Sequence, residues 1–326
     1  MNNVPTVDPK LSKRVWSVIN RLGYIPNTQA RALVSGRSKL FGIIISDITN
    51  PFFPELVQGF EESAVEVGYE TLIGSTNYDL PRMELCVQRM LERKVEGVAV
   101  MTFGIEEPLL ERLAAQGIPM VFIDLAPAQK AIAAIRVDYD KGIAEAVQHL
   151  AALGHRRIAF ISGPRHLHSA EARLHAFRSA MAAVGLKVPE RYLFEGSHTV
   201  EMGMTGAEEL LALKERPSAI VCSNDMTAIG VMHAVARTGL RIPDDISLIG
   251  FDDIRFAQFM LPPLTTVCMS GREIAASAVA ALKACVDQGP EAAITPAGVQ
   301  TRLVIRRSTG VPFGEPTPVA KKKSKR

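Results

Sequence analysis

Cysteine and tryptophan are scarce in this sequence, with four and one among 326 residues. Cys86, Cys222, Cys268 and Cys285 lie far apart and form no CxxC pair, so neither a zinc site nor a disulfide framework is implied. Reduced, buried thiols of a cytosolic protein are expected. Long apolar runs are missing as well. Nothing approaches the ~20 residues that a bilayer span requires, and no membrane partner is expected. Met1-Asn2-Asn3-Val4-Pro5 has neither the basic region nor the apolar region of a secretory signal. Walker A, GxGxxG, HExxH and GxSxG patterns are absent, and no nucleophile–base pair stands out, so an enzyme is not expected and no cofactor is implied.

What is present is an ordinary packed composition, 47% hydrophobic and 22% charged, in a chain long enough for two lobes. Charge is unevenly spread. The overall net charge is +3, but residues 1–39 carry Lys10, Lys13, Arg14, Arg21, Arg31, Arg37 and Lys39 against Asp8 alone. That segment is +6, the tail after Pro316 is +5, and −8 is left for the body. A basic N-terminal segment on an acidic body points to a polyanion partner at that end, or to a solvated helix and a solubilising tail.

From residue 40 onward, short apolar runs alternate with longer amphipathic stretches. The runs are Leu40–Ser46, Glu70–Ser75, Val95–Met101, Pro119–Asp124, Ala134–Asp138, Arg157–Ser162, Arg191–Gly196, Ser218–Ser223 and Ile246–Phe251. Between them, Leu56, Val57, Phe60, Ala64 and Val67 keep a helical spacing, as do Ile143, Val147, Leu150 and Leu153. Continuous apolar strands alternating with helices predict parallel sheets covered on both faces, and two Rossmann-like α/β lobes fit the length. A helix over Arg272–Asp287 and one final strand over Val299–Arg306 are expected to complete the lobes. Ligands of such sheets bind beyond the carboxyl ends of the strands, so two facing lobes would share a cleft.

Residues 1–39 read differently. Asp8-Pro9 starts a helix well, because aspartate caps and proline suits the first turn. Leu11, Val15, Val18, Ile19 and Leu22 form its apolar stripe, which ends at Gly23. A second candidate helix, Thr28 to Val34, is too short to stand alone and needs a surface to stabilise it.

An ordered series of motifs then resembles the lac repressor/purine repressor (LacI/GalR) family over essentially the whole chain. It runs from Val7-Asp8-Pro9-Lys10 through Tyr24-Ile25-Pro26-Asn27 to Ser35-Gly36-Arg37-Ser38. Asp47-Ile48-Thr49-Asn50-Pro51-Phe52-Phe53 and Leu153-Gly154-His155-Arg156-Arg157-Ile158 follow. The most specific pieces are Ser223-Asn224-Asp225-Met226-Thr227-Ala228-Ile229-Gly230 and Ile242-Pro243-Asp244-Asp245-Ile246-Ser247-Leu248-Ile249-Gly250-Phe251-Asp252-Asp253. The resemblance implies a type I periplasmic-binding-protein-like sensor joined by a hinge helix to a helix-turn-helix headpiece. The expected division is a headpiece remnant and hinge over 1–38. One lobe takes 39–138 plus about 269–300, the other 139–268 plus about 301–311, and a basic tail follows over 312–326. In the family two helices precede the one at Pro9–Leu22, and Met1-Asn2 matches the end of the second. A start codon further upstream is the expectation.

The resemblance also implies partners: an operator DNA, a small-molecule effector, and a second copy of the chain in a homodimer or a tetramer. Leu33 matches the hinge leucine that wedges into a minor-groove step, and Arg31, Arg37 and Lys39 are candidates for neutralising phosphates nearby. Leu33 also fits the apolar side of an ordinary linker helix. In the sensor, Arg173 matches the family's effector-binding arginine, whose planar fork suits paired hydroxyls or a carboxylate. Asn224 and Asp252 each follow a strand and offer amide and carboxylate groups. Phe52 and Phe53 follow the first strand and suit an apolar wall against a ring. His198 stands where the family often has a stacking aromatic. Against these roles, Asn224, Asp225, Asp252 and Asp253 also fit helix caps, and at least one of Phe52 and Phe53 fits the core. Asp124 and Asp138 are weaker pocket candidates, equally suited to capping or contacts between lobes. His166, His168 and His175 form the one grouping that suggests a metal, and no cysteine or carboxylate pattern accompanies it. A sugar or sugar derivative is the first expectation for the effector and a nucleobase the second. A ligand-binding module that dimerises but holds DNA poorly is the competing reading.

Overall fold

The computed structural model describes residues 8–24, 34, 36–102, 107–124, 132–289 and 298–312. Arg31 and Leu33, nearly all of the expected hinge helix, and the tail from 313 onward lie outside the described residues.

Helix α1 (Pro9–Leu22) begins as its sequence dictates. The Asp8 carboxylate accepts from Lys10 N at 2.8 Å, and Gly23 closes the helix in the left-handed region at φ 58°. Its stripe residues Leu11, Val15, Val18 and Leu22 are exposed, and no residue of the helix is buried.

Two six-stranded sheets form the body. The first contains β1 (Leu40–Ile45), β2 (Glu70–Ser75), β3 (Gly97–Met101), β4 (Met120–Ile123), β5 (Ile132–Asp138) and β11 (Gly298–Gln300). Its order is β11-β5-β4-β3-β1-β2, parallel throughout. The second contains β6 (Ile158–Ser162), β7 (Leu193–Glu195), β8 (Ala219–Cys222), β9 (Ser247–Asp252), β10 (Thr265–Cys268) and β12 (Arg302–Val304). Its order is β12-β10-β9-β8-β6-β7, and only β12 runs antiparallel. Each lobe therefore places its second strand outside its first and its third on the other side. The strand order reverses between β1 and β3 and again between β6 and β8, which marks the ligand crevice of each sheet.

Helices α2 (Phe52–Glu66), α3 (Leu80–Glu92) and α4 (Glu107–Ala115) belong with the first sheet, and α9 (Gly271–Gln288) returns to pack against α2. Helices α5 (Tyr139–Leu153), α6 (His168–Ala183), α7 (Val200–Leu211) and α8 (Asp225–Arg237) belong with the second. Strand cores such as Phe41, Ile43, Ile44 and Ile45 are fully buried, as expected where helices cover both faces.

Two expectations are corrected. The segment Thr265–Cys268, which is not among the runs expected to be strands, is a full strand of the second sheet, paired to β9. The single final strand expected over 299–306 is two short ones in different sheets. Thr301 makes the switch: its Oγ1 donates to Asp138 O at 2.5 Å and accepts from Gly142 N at 2.9 Å.

The chain enters the first lobe through a clamp. Arg37 Nη2 lies 2.9 Å from Glu96 Oε2 and 2.6 Å from the Tyr69 hydroxyl, which itself donates to Glu96. Lys39 N donates to the other Glu96 oxygen at 2.7 Å, and Lys39 Nζ lies over the Tyr69 ring. Arg37 thus anchors the linker to the lobe; a phosphate would have to compete with the Glu96 carboxylate for it.

Candidate functional site

The carboxyl ends of the strands of both lobes meet in one cleft. Arg173, on the second turn of α6, is 3% exposed and held on several sides. Nη1 donates to Ser223 O at 3.0 Å. Its guanidinium carbon lies 4.2 Å from the Phe251 ring centroid and 5.0 Å from that of Tyr139. The two rings are themselves neighbours, with centroids 5.9 Å apart, and together they stabilise a cation that burial alone would disfavour.

Asp252 closes β9 with φ 106°, 7% exposed, its Oδ1 3.9 Å from Arg173 Nη2. That separation exceeds a hydrogen bond. Burial raises the Asp252 carboxyl to about 7, against the pull of the Arg173 guanidinium. Asn224 caps α8 by accepting from Thr227 N at 2.9 Å, and its amide donates to His198 O at 3.1 Å. It is therefore cap and cleft residue at once. His198, at φ 64°, is partly buried, with Nδ1 3.1 Å from Ser223 Oγ. Burial and the Arg173 charge hold its imidazole well below its usual range, so it is neutral at ordinary pH.

From the first lobe come Phe52 and Phe53, both nearly fully buried, with ring centroids 5.3 Å apart at 74°. They are core and wall together. All six residues expected at the effector site, Phe52, Phe53, Arg173, His198, Asn224 and Asp252, line one cavity, which Asn50, Tyr78 and Met269 complete. Its volume is about 20 Å³, room for about one water molecule.

Other candidates take supporting places. Asp138 caps α5 by accepting from Lys141 N at 3.1 Å. Asp124 accepts from the Tyr139 hydroxyl at 2.5 Å, a bond from the end of β4 to the helix whose ring covers Arg173. Asp225 is fully buried, accepting from Ile254 N and Thr266 Oγ1, and Asp253 pairs with Arg306 at 2.7 Å. These two hold loops in place. His166 and His168 are exposed at the start of α6, and among the described residues no cluster of metal-ligating side chains forms.

Sequence reasoning missed Tyr78, Asn50 and Met269 of the cavity lining, and the buried Ser169, which is not part of that lining. Ser169 lies one turn ahead of Arg173 on α6, 1% exposed, its Oγ without a hydrogen-bond partner. The four-residue helical spacing from Arg173 was the signal available for it. Tyr78 sits in a turn whose left-handed backbone gives no sequence cue.

A family profile described as a periplasmic binding protein-like domain matches residues 147–309. The HTH-type transcriptional repressor PurR of Photobacterium profundum is 32% identical over 310 residues, covering 94% of this chain and 92% of that protein. This chain belongs to the LacI/GalR family. Its members are ligand-responsive transcription regulators, and that is the function class of this one. Among solved structures, a Lac repressor bound to ONPG in the repressed state matches with a TM-score of 0.82 at 25% identity, covering 94% of this chain and 93% of that one. A LacI family regulator from Enterococcus faecium with bound ribose matches with a TM-score of 0.75 at 26% identity, covering 83% and 99%.

Proposed function

We propose that this LacI/GalR-family chain is a cytoplasmic, non-enzymatic repressor that binds operator DNA as a homodimer and takes a neutral sugar or sugar derivative between its lobes. The observation that carries this is the convergence of Arg173, Asp252, Asn224 and His198 with the Phe52–Phe53 wall on one interlobe cavity. One buried cation beside one buried carboxyl sets donors and acceptors side by side, with no net charge once the carboxyl has ionised, which suits vicinal hydroxyls. The aromatic wall suits the apolar face of a ring. The solved relative with bound ribose supports a sugar over a nucleobase.

Homodimerisation is supported by large apolar side chains left exposed after β9, namely Phe256, Phe259 and Leu261, and by Ile73 and Leu85 on the first lobe. A ligand controls DNA only through unequal affinity for two arrangements of the lobes. The cleft is narrow enough that an effector must shift the lobes or its lining side chains to enter. Fluorescence anisotropy with a palindromic fragment from the gene's own promoter tests the reading. DNA affinity should change with an added sugar by about 5- to 150-fold. Sugar binding with no measurable DNA binding would favour the alternative, a dimeric sensor with poor hold on DNA.

A further inference from the structure

The cleft holds a second and larger space, about 110 Å³, beside the cavity of Arg173. Its floor is the carboxyl ends of β1 and β3 with the residue after β2, where Ser46, Thr76 and Thr102 are all nearly or fully buried. Ser46 Oγ is buried without a well-formed hydrogen bond. Leu80 and Met83 of α3 supply an apolar wall, and Leu167 closes the space from the opposite lobe. Among the lining residues of the two spaces, only Tyr78 is shared.

Tyr78 is held there by its backbone. It and Asn77 both occupy the left-handed region, at φ 55° and 51°. Side chains other than glycine rarely do so without a surrounding structure that enforces it, and such outliers cluster at ligand clamps. Here the turn is fixed at both ends. Asn77 N donates to Ser46 O at 2.6 Å and Asp79 N to Thr76 O at 3.0 Å, while Asp79 caps α3 through Arg82 N. Tyr78 consequently stays 52% exposed over the cleft instead of packing into the lobe.

The chemistry of this second space selects its occupant. Hydroxyls both donate and accept, so three of them along one side serve an uncharged polyol. Among the described residues no lysine or arginine lines the space; His166 does, from the opposite lobe, and the Asp79 carboxylate in the lining disfavours an anion. Leu80, Met83 and Leu167 suit the apolar face of a ring. We propose that the effector is a neutral two-ring carbohydrate, with one ring beside Arg173 and Asp252, the second among Ser46, Thr76 and Thr102, and Tyr78 at the junction. This rests on the carbohydrate reading of the first cavity.

Calorimetric titration of the full chain with D-glucose, D-galactose and D-ribose, and with cellobiose, maltose, lactose and sucrose, tests it. At least one disaccharide should bind about tenfold or more tighter than its own monosaccharide, a difference of about 1.4 kcal/mol. In Ser46→Ala/Thr76→Val that advantage should vanish while the monosaccharide affinity stays as in the parent, which also shows that the variant folds. A monosaccharide that binds as tightly as its disaccharides, or a double variant that leaves the disaccharide advantage intact, overturns the proposal and leaves the carbohydrate reading standing. Failure of every sugar to bind overturns both.

Discussion

Asp252 carries two opposed demands, a buried position and a charge. Because burial raises its carboxyl to about 7, the folded state keeps a proton that the unfolded chain has released above about pH 4. Its contribution to stability is therefore most favourable at low pH and declines as pH rises from about 4 to about 7. Asp252→Asn removes the charge without removing the shape, so its melting temperature relative to the parent should climb as pH passes through that window. Ligand affinity should move the other way: a carboxylate accepts hydroxyl hydrogens better than a protonated acid, so parent affinity rises with pH up to about 7 and that of the variant stays flat. Calorimetry in buffers of differing ionisation enthalpy at pH 6 should also show proton release on binding, absent in the variant. His198 depends on a neighbour's lack of a side chain. A Cβ at Gly163 would stand 2.0 Å from its Nε2. Gly163→Ala should push the imidazole into the cleft, cost about 1–3 kcal/mol of stability and weaken sugar binding, read by thermal unfolding and titration. Asn224 and Asp252 were legible because each stands at the end of a strand, whereas Arg173 and His198 were read from the family resemblance. Tyr78 was not, since its place depends on a turn conformation that no residue type announces.

At the level of elements, the sequence disclosed most where one physical rule acts alone. Runs such as Leu40–Ser46 and Ile246–Phe251 are strands because covered parallel sheets demand unbroken apolar segments, and the observed β1 and β9 match them within a residue. Helix α1 was equally plain from its cap, its proline and its closing glycine. Thr265–Cys268 escaped because it is short and only partly apolar, and its strand character comes from pairing with β9 and β12. The break at Thr301 escaped for a related reason: an alternating run looks the same whether it serves one sheet or two. The Thr301 hydroxyl bridges the first turn of α5, accepting from Gly142 N and donating to Asp138 O, the carbonyl four residues earlier. Thr301→Val keeps the volume but removes both hydrogen bonds of this buried bridge, so chemical denaturation should show a loss of about 1–3 kcal/mol.

Across the whole molecule, contacts join the two lobes near the site, and a separate clamp holds the linker to the first lobe. Asp124–Tyr139 joins the end of β4 to the helix over Arg173, and Glu55 of α2 accepts from Arg255 N of the opposite lobe at 2.9 Å. At the far end of the first lobe, Glu96 holds Arg37, Lys39 and Tyr69. Burial works to raise the Glu96 carboxyl, but these hydrogen bonds outweigh it and hold it below the usual range. Its stabilising effect is therefore present above the ordinary carboxylate range and is lost as pH falls below it. Glu96→Gln should leave sugar affinity unchanged and reduce the response of DNA affinity to sugar, because the linker no longer follows the lobe rigidly. Paired anisotropy and calorimetry on that variant separate the two quantities. The two-lobe architecture and a cleft shared by facing strand ends were readable from periodicity and length; the individual contacts that hold the lobes together, such as Arg255 N to Glu55, were not, since they join residues far apart in the chain. The most direct test of the account is calorimetric titration of the sugar panel into the parent chain and Arg173→Ala. The account predicts heat of binding in the parent and loss of about tenfold to several hundredfold in the variant, the worth of one or two hydrogen bonds to a charged group. A variant that binds the same sugar with the parent's affinity would contradict it.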